Sequence, residues 1–442
     1  LVVEPKQEGE VALTLLHTND LHSHYRPNSD AFALGGVARL ATAIREERAK
    51  AELSLLLDGG DWSEGSIYYK LDAGRTAIEL MNVLGYDAAV VGNHDWLNGP
   101  TQLLNILKKT PTKTMLLAAN LAIPKSYPMA EEFRRYVKSA ELLSVGSLKV
   151  GVIGVVTFEF LYDKFFNPVQ ITEPFVITKK LAKKMKDQGA DLIVVLSHNS
   201  LNTNKLIASL PNIDVIVHSH DHRKLVRPEV VKSRLADGSK KQALLVEAEC
   251  WGKYLGRLRL FVDAKKHTAR FADYDLLPID DKYEKDPVVD DLINRYDQQI
   301  SQAWGDIFSQ QKAFTNVDIR REGSESLYGN VLADAYREAT GADLSIEHTG
   351  FTSGELHRGS LTSVDFFNAY TSIYNPTTKK SWTLKTAKMK GETLTWVFNF
   401  IFSLSAVMQN RMMSFSGVYA EYDALRAQSA PQLSVFDLGL NP

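Results

Sequence analysis

Short apolar runs alternate with amphipathic stretches between residues 11 and 275. Leu53–Leu57, Ala88–Val91 and Leu192–Leu196 are largely apolar and short, which is typical of buried strands. Val37–Ala51 and Val176–Gln188 instead place charged residues at helical spacing. This alternation predicts an α/β domain with parallel strands.

Two further strand-like segments follow closely on one another. Leu244–Ala248 and Leu255–Val262 have only a short break between them. We expect them to form a hairpin that closes a second sheet. An α/β sandwich is therefore favoured over one open sheet.

The remaining sequence predicts a second, smaller domain. Asp281–Gln302 is polar and helical in period, and we interpret it as a linking helix. Leu327–Thr340 is an amphipathic helix ended by Gly341. The expected boundaries are residues 1–280 for the first domain, 281–308 for the linker and 309–442 for the second domain.

Five apolar runs each end at side chains that commonly bind metals. The residues that follow the runs are Asp20 and His22; Asp61; Asn93 and His94; His198; and His218 and His220. In α/β sheets, ligands bind outside the carboxyl ends of the strands. Five such ends predict one common site.

Composition limits the classes of function. The chain has 442 residues, 44% hydrophobic and 24% charged, which is ordinary for a soluble globular protein. The net charge of −2 provides no basic field for a nucleic acid polymer. The single cysteine, Cys250, excludes a disulfide framework and a thiolate-rich zinc site. No apolar stretch has the length of a membrane span, and no leader is visible.

The candidate ligands comprise two aspartates, one asparagine and four histidines. This mixture suits divalent Mn, Zn, Fe, Co or Ni better than calcium, which prefers oxygen alone. Seven ligands exceed what one four-coordinate ion needs and suit two ions that share a carboxylate. Two adjacent metals can activate a hydroxide and clamp a phosphoryl group, so hydrolysis of a phosphate ester is expected.

The motifs at the strand ends resemble a known family. They are Thr18-Asn-Asp-Leu-His22, Gly60-Asp61, Gly92-Asn-His94 and His218-Ser-His220. They resemble the calcineurin-type metallophosphatases and, within them, the 5′-nucleotidase and UDP-sugar hydrolase family. Leu327–Ala335 and Gly359–Asn368 resemble the C-terminal domain of that family. The resemblance implies a four-layer α/β/β/α sandwich followed by a smaller α+β domain.

The resemblance also implies roles for individual residues. One metal would be held by Asp20, His22, Asp61 and His220, and the other by Asp61, Asn93, His198 and His218. His94 would stabilise charge on the phosphoryl group or the leaving oxygen. His24 and His222 match no ligand position, and we expect them to support the ligands or lie on the surface.

One departure from the family concerns the partner of His94. Nucleotidases orient this histidine with an aspartate three residues later, and here Leu97 occupies that position. Leucine accepts no hydrogen bond, so another acceptor is needed. Glu64, three residues after Asp61, is our candidate catalytic partner, with Asp95 or a backbone carbonyl as rivals.

A second departure concerns substrate specificity. The family's Asn-x-Gly-Gly-x-Arg loop corresponds to residues 348–353, where serine replaces arginine and removes a bidentate anion clamp. Because the sequence after Phe415 is shorter than in the family, we expect its second aromatic platform to be absent. The candidate substrate-binding residues are His348, Gly350, Phe351, Ser353 and Phe415.

The sequence thus predicts a dinuclear-metal phosphoesterase that acts on a nucleotide-like or other small phosphate ester. One alternative is hydrolysis of another oxyanion ester, such as a thiosulfate ester. A second is a binding protein that retains its metals with weak turnover. Family resemblance implies a periplasmic or extracellular location, and the sequence does not specify an oligomeric state.

Overall fold

The computed structural model describes residues 5–29, 32–157, 166–235, 237–321, 326–348, 354–370, 374–375, 380–381, 383–407 and 413–418. The chain forms two compact units. One comprises Leu1–Gly305 with Asn375–Lys379, and the other comprises Asp306–Tyr374 with Lys380–Pro442. The domain boundaries expected from sequence stay a prediction.

Strands and helices alternate along the first unit. They are β1 (Val11–Thr18), α1 (Val37–Lys50), β2 (Leu53–Asp58), α2 (Ile67–Asp72), α3 (Arg75–Leu84), β3 (Ala88–Val90), α4 (Pro100–Lys109), β4 (Met115–Leu117), β5 (Leu121–Ala122), α5 (Ala130–Tyr136), β6 (Val137–Lys138), β7 (Ala140–Val145), β8 (Leu148–Val156), β9 (Gln170–Ile171), α6 (Pro174–Asp187), β10 (Leu192–His198), α7 (Leu201–Ala208), β11 (Val215–Ser219), β12 (Glu229–Arg234), β13 (Lys240–Val246), β14 (Tyr254–Asp263), β15 (Thr268–Pro278) and α8 (Pro287–Trp304).

The following elements complete the chain. They are β16 (Gln311–Thr315), α9 (Leu327–Thr340), β17 (Ser345–His348), β18 (Gly359–Thr362), α10 (Ser363–Ala369), β19 (Tyr374–Asn375), β20 (Lys380–Ser381), α11 (Gly391–Val407) and β21 (Met413–Ser416).

Two large sheets form the first unit. The seven-stranded sheet has the order β15-β14-β1-β2-β3-β4-β6, and the six-stranded sheet has the order β12-β13-β11-β10-β8-β7. The strands β1 to β4 run parallel, as do β8, β10, β11 and β13. These strands are largely buried, as near-continuous apolar runs predict.

The prediction that Leu244–Ala248 and Leu255–Val262 form a hairpin is wrong. β13 pairs parallel with β11 in the six-stranded sheet, whereas β14 pairs antiparallel with β1 in the other sheet. The short break is therefore a crossing between the sheets. Glu249, Trp251 and Gly252 turn the chain there with φ of 59°, 59° and 64°.

The two sheets pack face to face, because β3 contacts both β8 and β10. A side chain at Gly154 of β8 would overlap Leu117 of β4, since an added Cβ would lie 2.4 Å from the Leu117 Cβ. On the outer faces, α1 packs against β2 and β14, while α6 packs against β8 and β10. The predicted α/β/β/α sandwich is confirmed.

The second unit is smaller and mixed in structure. Its α9 packs against β17 and β21, which pair antiparallel. A small core contains Tyr328, Leu356, Leu361 and Ala369. The helix expected at Leu327–Thr340 is confirmed, and Gly341 ends it with φ 63°. Within the described residues, no helix is both long and apolar enough to cross a bilayer.

Candidate metal centre

The candidate ligands lie where predicted, at the carboxyl ends of neighbouring strands. Asp20 and His22 follow β1, Asp61 follows β2, and Asn93 follows β3 in the seven-stranded sheet. His198 ends β10, and the segment 218–223 begins in the last two residues of the adjacent β11 and continues beyond it in the six-stranded sheet. Since the sheets face each other, these ends converge.

Strained backbone conformations are concentrated at these ends. Residues with positive φ include Asp20 (50°), His22 (47°), Asp61 (56°), His220 (83°) and His222 (55°). Such values are uncommon for residues other than glycine and cluster at functional sites, where the surroundings enforce them. The backbone therefore marks His220 and His222 as members of the site.

A first group of ligand atoms comes from Asp20, His22 and His222. The Nε2 atoms of His22 and His222 lie 3.2 Å apart. His222 Nε2 lies 3.5 Å from Asp20 Oδ1, and His22 Nε2 lies 4.0 Å from the same oxygen. Two ligands about 2.1 Å from one cation lie roughly 3.0 Å apart at a right angle and roughly 4.2 Å apart when opposite. The spacings therefore fit one divalent ion.

A second group comes from Asp61, His198 and His220. His198 Nε2 lies 3.0 Å from Asp61 Oδ2 and 3.0 Å from Asn93 Oδ1. The amide nitrogen of Asn93 is buried without a hydrogen-bond partner in the described structure. These distances also fit ligands of one ion. Asp61 Oδ2 lies 3.8 Å from His22 Nε2 of the first group, so this carboxylate faces both groups.

Backbone carbonyls orient two of the histidines. The carbonyl of Glu64 lies 2.5 Å from His22 Nδ1, and the carbonyl of Gly59 lies 2.9 Å from His198 Nδ1. A hydrogen bond at Nδ1 fixes the tautomer and leaves Nε2 as the metal-binding nitrogen. Both rings thus direct Nε2 toward the carboxylates.

Glycines allow the strand ends to approach closely. A Cβ at Gly92 would lie 2.1 Å from Asp61 Oδ1, so no other residue fits beside the central carboxylate. Gly60 has φ 94°, and its Cβ would lie 2.9 Å from His198 Nδ1. The glycines beside Asp61 and Asn93 are therefore part of the site's geometry.

The structure differs from the predicted ligand set in the histidine-rich segment. His218 lies in neither group of the described residues, and its Nε2 is 3.1 Å from Glu247 Oε2. His220 joins Asp61 and His198 rather than Asp20, and His222 joins Asp20 and His22. This geometry departs from the expected assignments of His218 as a ligand, of His220 to the first metal and of His222 to a supporting role, and metal binding by all three residues stays a prediction.

A signal for His222 was present in the sequence. His218, His220 and His222 alternate, so either overlapping His-x-His pair satisfies the motif. Strand β11 continues through Ser219, which places His218 inside the strand and the later pair beyond its end. The observed end of β11 therefore favours His220 and His222 over His218.

His94 has the partner that its role requires. Its Nδ1 lies 2.6 Å from Glu64 Oε2, and its backbone N–H donates to Asp61 Oδ1 at 2.8 Å. Burial disfavours the charged ring, but the Asp61 carboxylate and the Glu64 hydrogen bond outweigh this effect and raise the pKa of His94 to about 8. Leu97 is fully buried and takes no part.

Asp95 braces two loops instead of orienting His94. Its Oδ2 accepts hydrogen bonds from the amides of Asp61 (3.0 Å) and Gly92 (2.7 Å), and its Oδ1 accepts from the Ser63 amide (2.9 Å). Burial and the charge of Asp61 raise the pKa of Asp95 to about 7. The structure therefore places Glu64 rather than Asp95 in contact with the His94 ring, and the catalytic roles of both carboxylates stay predictions.

The substrate candidates belong to the second unit. Gly350, Phe351 and Ser353 lie outside the described residues. His348 ends β17 and pairs with Met413 of β21. The Phe415 ring packs 4.8 Å from the buried Phe398 ring, so packing explains its presence without a ligand. Substrate binding by all five residues stays a prediction.

Comparison with known proteins supports the resemblance seen in sequence. Residues 13–224 match the calcineurin-like phosphoesterase family, and residues 307–431 match the 5′-nucleotidase C-terminal domain. The chain belongs to the 5′-nucleotidase family of calcineurin-like phosphoesterases. Both domains of the family are present in the expected order.

Relatives in this family include proteins named as nucleotidases. The chain is 32% identical to a snake venom 5′-nucleotidase of Naja atra over 66% of this chain and 58% of the relative. It is 34% identical to that of Gloydius brevicauda over 58% of this chain and 46% of the relative. The chain thus spans about half the length of these curated relatives.

Solved structures share the fold. A 5′-nucleotidase precursor from Thermus thermophilus aligns with a TM-score of 0.76 at 24% identity, covering 92% of this chain and 81% of that one. The sulfate thiohydrolase SoxB of the same organism aligns with a TM-score of 0.71 at 17% identity, covering 94% and 83%. The architecture is therefore common to proteins named for different ester substrates.

Proposed function

We propose that this protein hydrolyses small phosphate esters with two divalent metal ions. The observation that carries the proposal is the pair of ligand groups on either side of Asp61, held by strained backbone at convergent strand ends. Relatives named 5′-nucleotidases support the reaction class. Phosphoester hydrolysis is the chemistry for which such a paired arrangement is best suited.

The residues present fit two cations. Asp20, His22 and His222 would hold one ion; His198, His220 and Asn93 would hold the other; Asp61 would contact both. Imidazole and carboxylate ligands suit Mn, Zn, Fe, Co or Ni. When bound, such ions lower the pKa of water and neutralise phosphoryl oxygens.

The chain's own groups supply orientation and a proton-bearing ring. Glu64 holds His94 through Nδ1, and the Asp61 carboxylate holds the backbone of the same residue. An imidazole fixed beside the ligand groups can donate a hydrogen bond that stabilises the transferring phosphoryl group or the departing oxygen. His94 is 19% exposed in its side chain, so a substrate can reach it from solvent.

The ligand pair in the histidine segment is either His218 and His220 or His220 and His222, and the two choices predict different metal contents for single variants. We expect His222→Ala to bind one Co²⁺ ion per chain at saturation, because His222 Nε2 faces Asp20 and His22. The matched variant His218→Ala should still bind two ions at saturation, whatever its affinity, since His218 lies in neither group. Titration of the metal-free protein, followed by visible absorption, measures both. If His218→Ala lost one ion and His222→Ala did not, the ligand pair expected from sequence, His218 and His220, would be supported instead.

A substrate comparison tests the function itself. We expect the protein to hydrolyse p-nitrophenyl phosphate in the presence of Mn²⁺. Its kcat/KM for AMP should not exceed that for p-nitrophenyl phosphate, because Ser353 replaces the family's arginine. A charge-assisted hydrogen bond contributes about 1.5–3 kcal/mol, so its loss costs roughly 10–100-fold in binding. Ser353→Arg should raise kcat/KM for AMP, and Ser353→Lys should raise it less because lysine lacks the planar fork.

The same assay separates the alternatives. A kcat/KM for AMP about a hundredfold above that for p-nitrophenyl phosphate would contradict the expected specificity. Turnover of a thiosulfate ester without turnover of phosphate esters would favour the activity named for SoxB, whose fold this chain shares. Two bound metals with no turnover of any ester would favour a binding protein.

An extracytoplasmic location is part of the proposal. Relatives of this chain include nucleotidases of snake venom. Fractionation of the native host, with an antibody against this protein, tests the location directly.

A further inference from the structure

A second buried cluster lies behind the metal centre and has no role in the function proposed above. Glu247 and His218 have fully buried side chains. Their facing atoms, Oε2 and Nε2, lie 3.1 Å apart, Asp221 Oδ2 lies 3.6 Å from the same nitrogen, and neither facing atom has a hydrogen-bond partner in the described structure. A buried polar atom without a partner is costly, so each group depends on the other.

The second oxygen of Glu247 reaches the far end of the same segment. Its Oε1 accepts a hydrogen bond from the Arg223 amide at 2.8 Å. The main chain adds two bonds nearby: the Leu225 amide donates to the Glu247 carbonyl at 3.3 Å, and the Glu249 amide donates to the Arg223 carbonyl at 3.0 Å. One carboxyl group thus contacts the first and last residues of the segment 218–223.

The residues between these two contacts are the metal-ligand candidates. His220 and His222 have φ of 83° and 55°, which the chain does not adopt readily by itself. Asp221 Oδ2 accepts from the Leu201 amide at 2.7 Å, and the His220 amide donates to Asp20 at 3.1 Å. The segment is therefore held at its middle as well as at both ends.

We propose that Glu247 is a positioning residue for the metal centre: by holding His218 and the Arg223 amide, it fixes the segment that presents His220 and His222. This inference rests on the proposed dinuclear site. It assigns His218 a structural contact with Glu247 instead of a metal bond. Partners that orient metal ligands affect metal affinity although they never touch the ion.

The test is a Co²⁺ titration of the metal-free full-length protein, followed by visible absorption. Glu247→Ala removes both contacts and should weaken Co²⁺ binding by about 10–100-fold, as loss of an orienting partner does elsewhere. Glu247→Gln keeps the length of the side chain and one acceptor oxygen, which can serve either the Arg223 amide or the Nε2–H that His218 presents when its Nδ1 accepts from the Asn204 amide at 2.6 Å. It should therefore lose less Co²⁺ affinity than Glu247→Ala, because one of the two contacts remains.

Asp191 provides a matched control in the same unit. Its buried carboxylate also joins a histidine ring and a backbone amide, with His267 Nδ1 at 2.7 Å and the Lys149 amide at 2.8 Å. Asp191→Ala should lose stability in thermal unfolding of the metal-free protein, as Glu247→Ala does, yet keep wild-type Co²⁺ affinity. This comparison separates positioning from general destabilisation.

Each outcome decides the proposal. Unchanged affinity in folded Glu247→Ala, equal losses in Glu247→Ala and Glu247→Gln, or an equal loss in Asp191→Ala would overturn it. If Glu247→Ala does not fold, Glu247→Asp replaces it: the shorter side chain cannot reach both partners, so its affinity should fall about tenfold below that of wild type. Failure of the wild-type protein to bind two ions would instead refute the proposed function.

Discussion

Asp61→Ala is expected to bind no stoichiometric metal and to lose at least about 10⁴-fold in kcat, because nucleophile activation and charge stabilisation each contribute about 10²-fold or more. The structural reason is the central place of this carboxylate. Asp61 Oδ2 lies 3.0 Å from His198 Nε2 and 3.8 Å from His22 Nε2, one histidine from each ligand group. Elemental analysis after incubation with Mn²⁺ or Zn²⁺ measures the metal content.

Asp58→Ala is the matched control for Asp61→Ala. Asp58 is also a buried carboxylate at the end of β2, but it accepts hydrogen bonds from the Thr18 hydroxyl at 2.6 Å and the Gly60 amide at 2.8 Å. Its loss should lower stability and leave two ions bound. If Asp61→Ala retained both ions with wild-type affinity, the shared carboxylate would be excluded and with it the dinuclear proposal.

The positions of the strand ends were predictable from sequence because buried parallel strands are recognisable as short apolar runs. Leu53–Asp58 and Leu192–His198 begin and end close to the expected residues. Parallel strands in a sheet align their carboxyl ends, so the side chains that follow them converge. Asp61 and His198, far apart in sequence, were therefore expected in one site and lie 3.0 Å apart.

The register of the last ligand pair was not predictable by motif alone. His218, His220 and His222 are chemically identical and alternate, so composition gives no preference. The choice depends on where β11 ends and on positive φ at His220 and His222, which arise from contacts with distant residues such as Asp20. The hairpin prediction failed for the same reason: β13 and β14 are positioned by distant partner strands, which belong to different sheets.

The contact between Glu64 and His94 was predicted from sequence spacing alone. Its position three residues after Asp61 suggested a partner for His94, and its Oε2 lies 2.6 Å from His94 Nδ1. The contact that the hypothesis requires is therefore present. The catalytic role of the pair stays a prediction.

We expect His94→Asn to lower kcat by about 10²–10³-fold, the usual cost of removing one group that stabilises developing charge. Glu64→Gln should lower kcat by about 10–100-fold, because the weakened partner no longer holds the ring and its charge. Both variants should retain two metals, since neither side chain belongs to the ligand groups. Steady-state kinetics with p-nitrophenyl phosphate, together with metal analysis, gives these values.

The double variant distinguishes a pair that acts as one unit from two separate contributions. If Glu64 works through His94, Glu64→Gln combined with His94→Asn should be little slower than His94→Asn alone, because coupled residues are not additive. Glu249→Gln is the control: it changes the same charge near the same strand ends, but Glu249 pairs with Lys253 at 2.9 Å and should keep wild-type kcat. Full additivity of the two substitutions, or wild-type kcat in Glu64→Gln, would show that the 2.6 Å contact does not orient the catalytic ring.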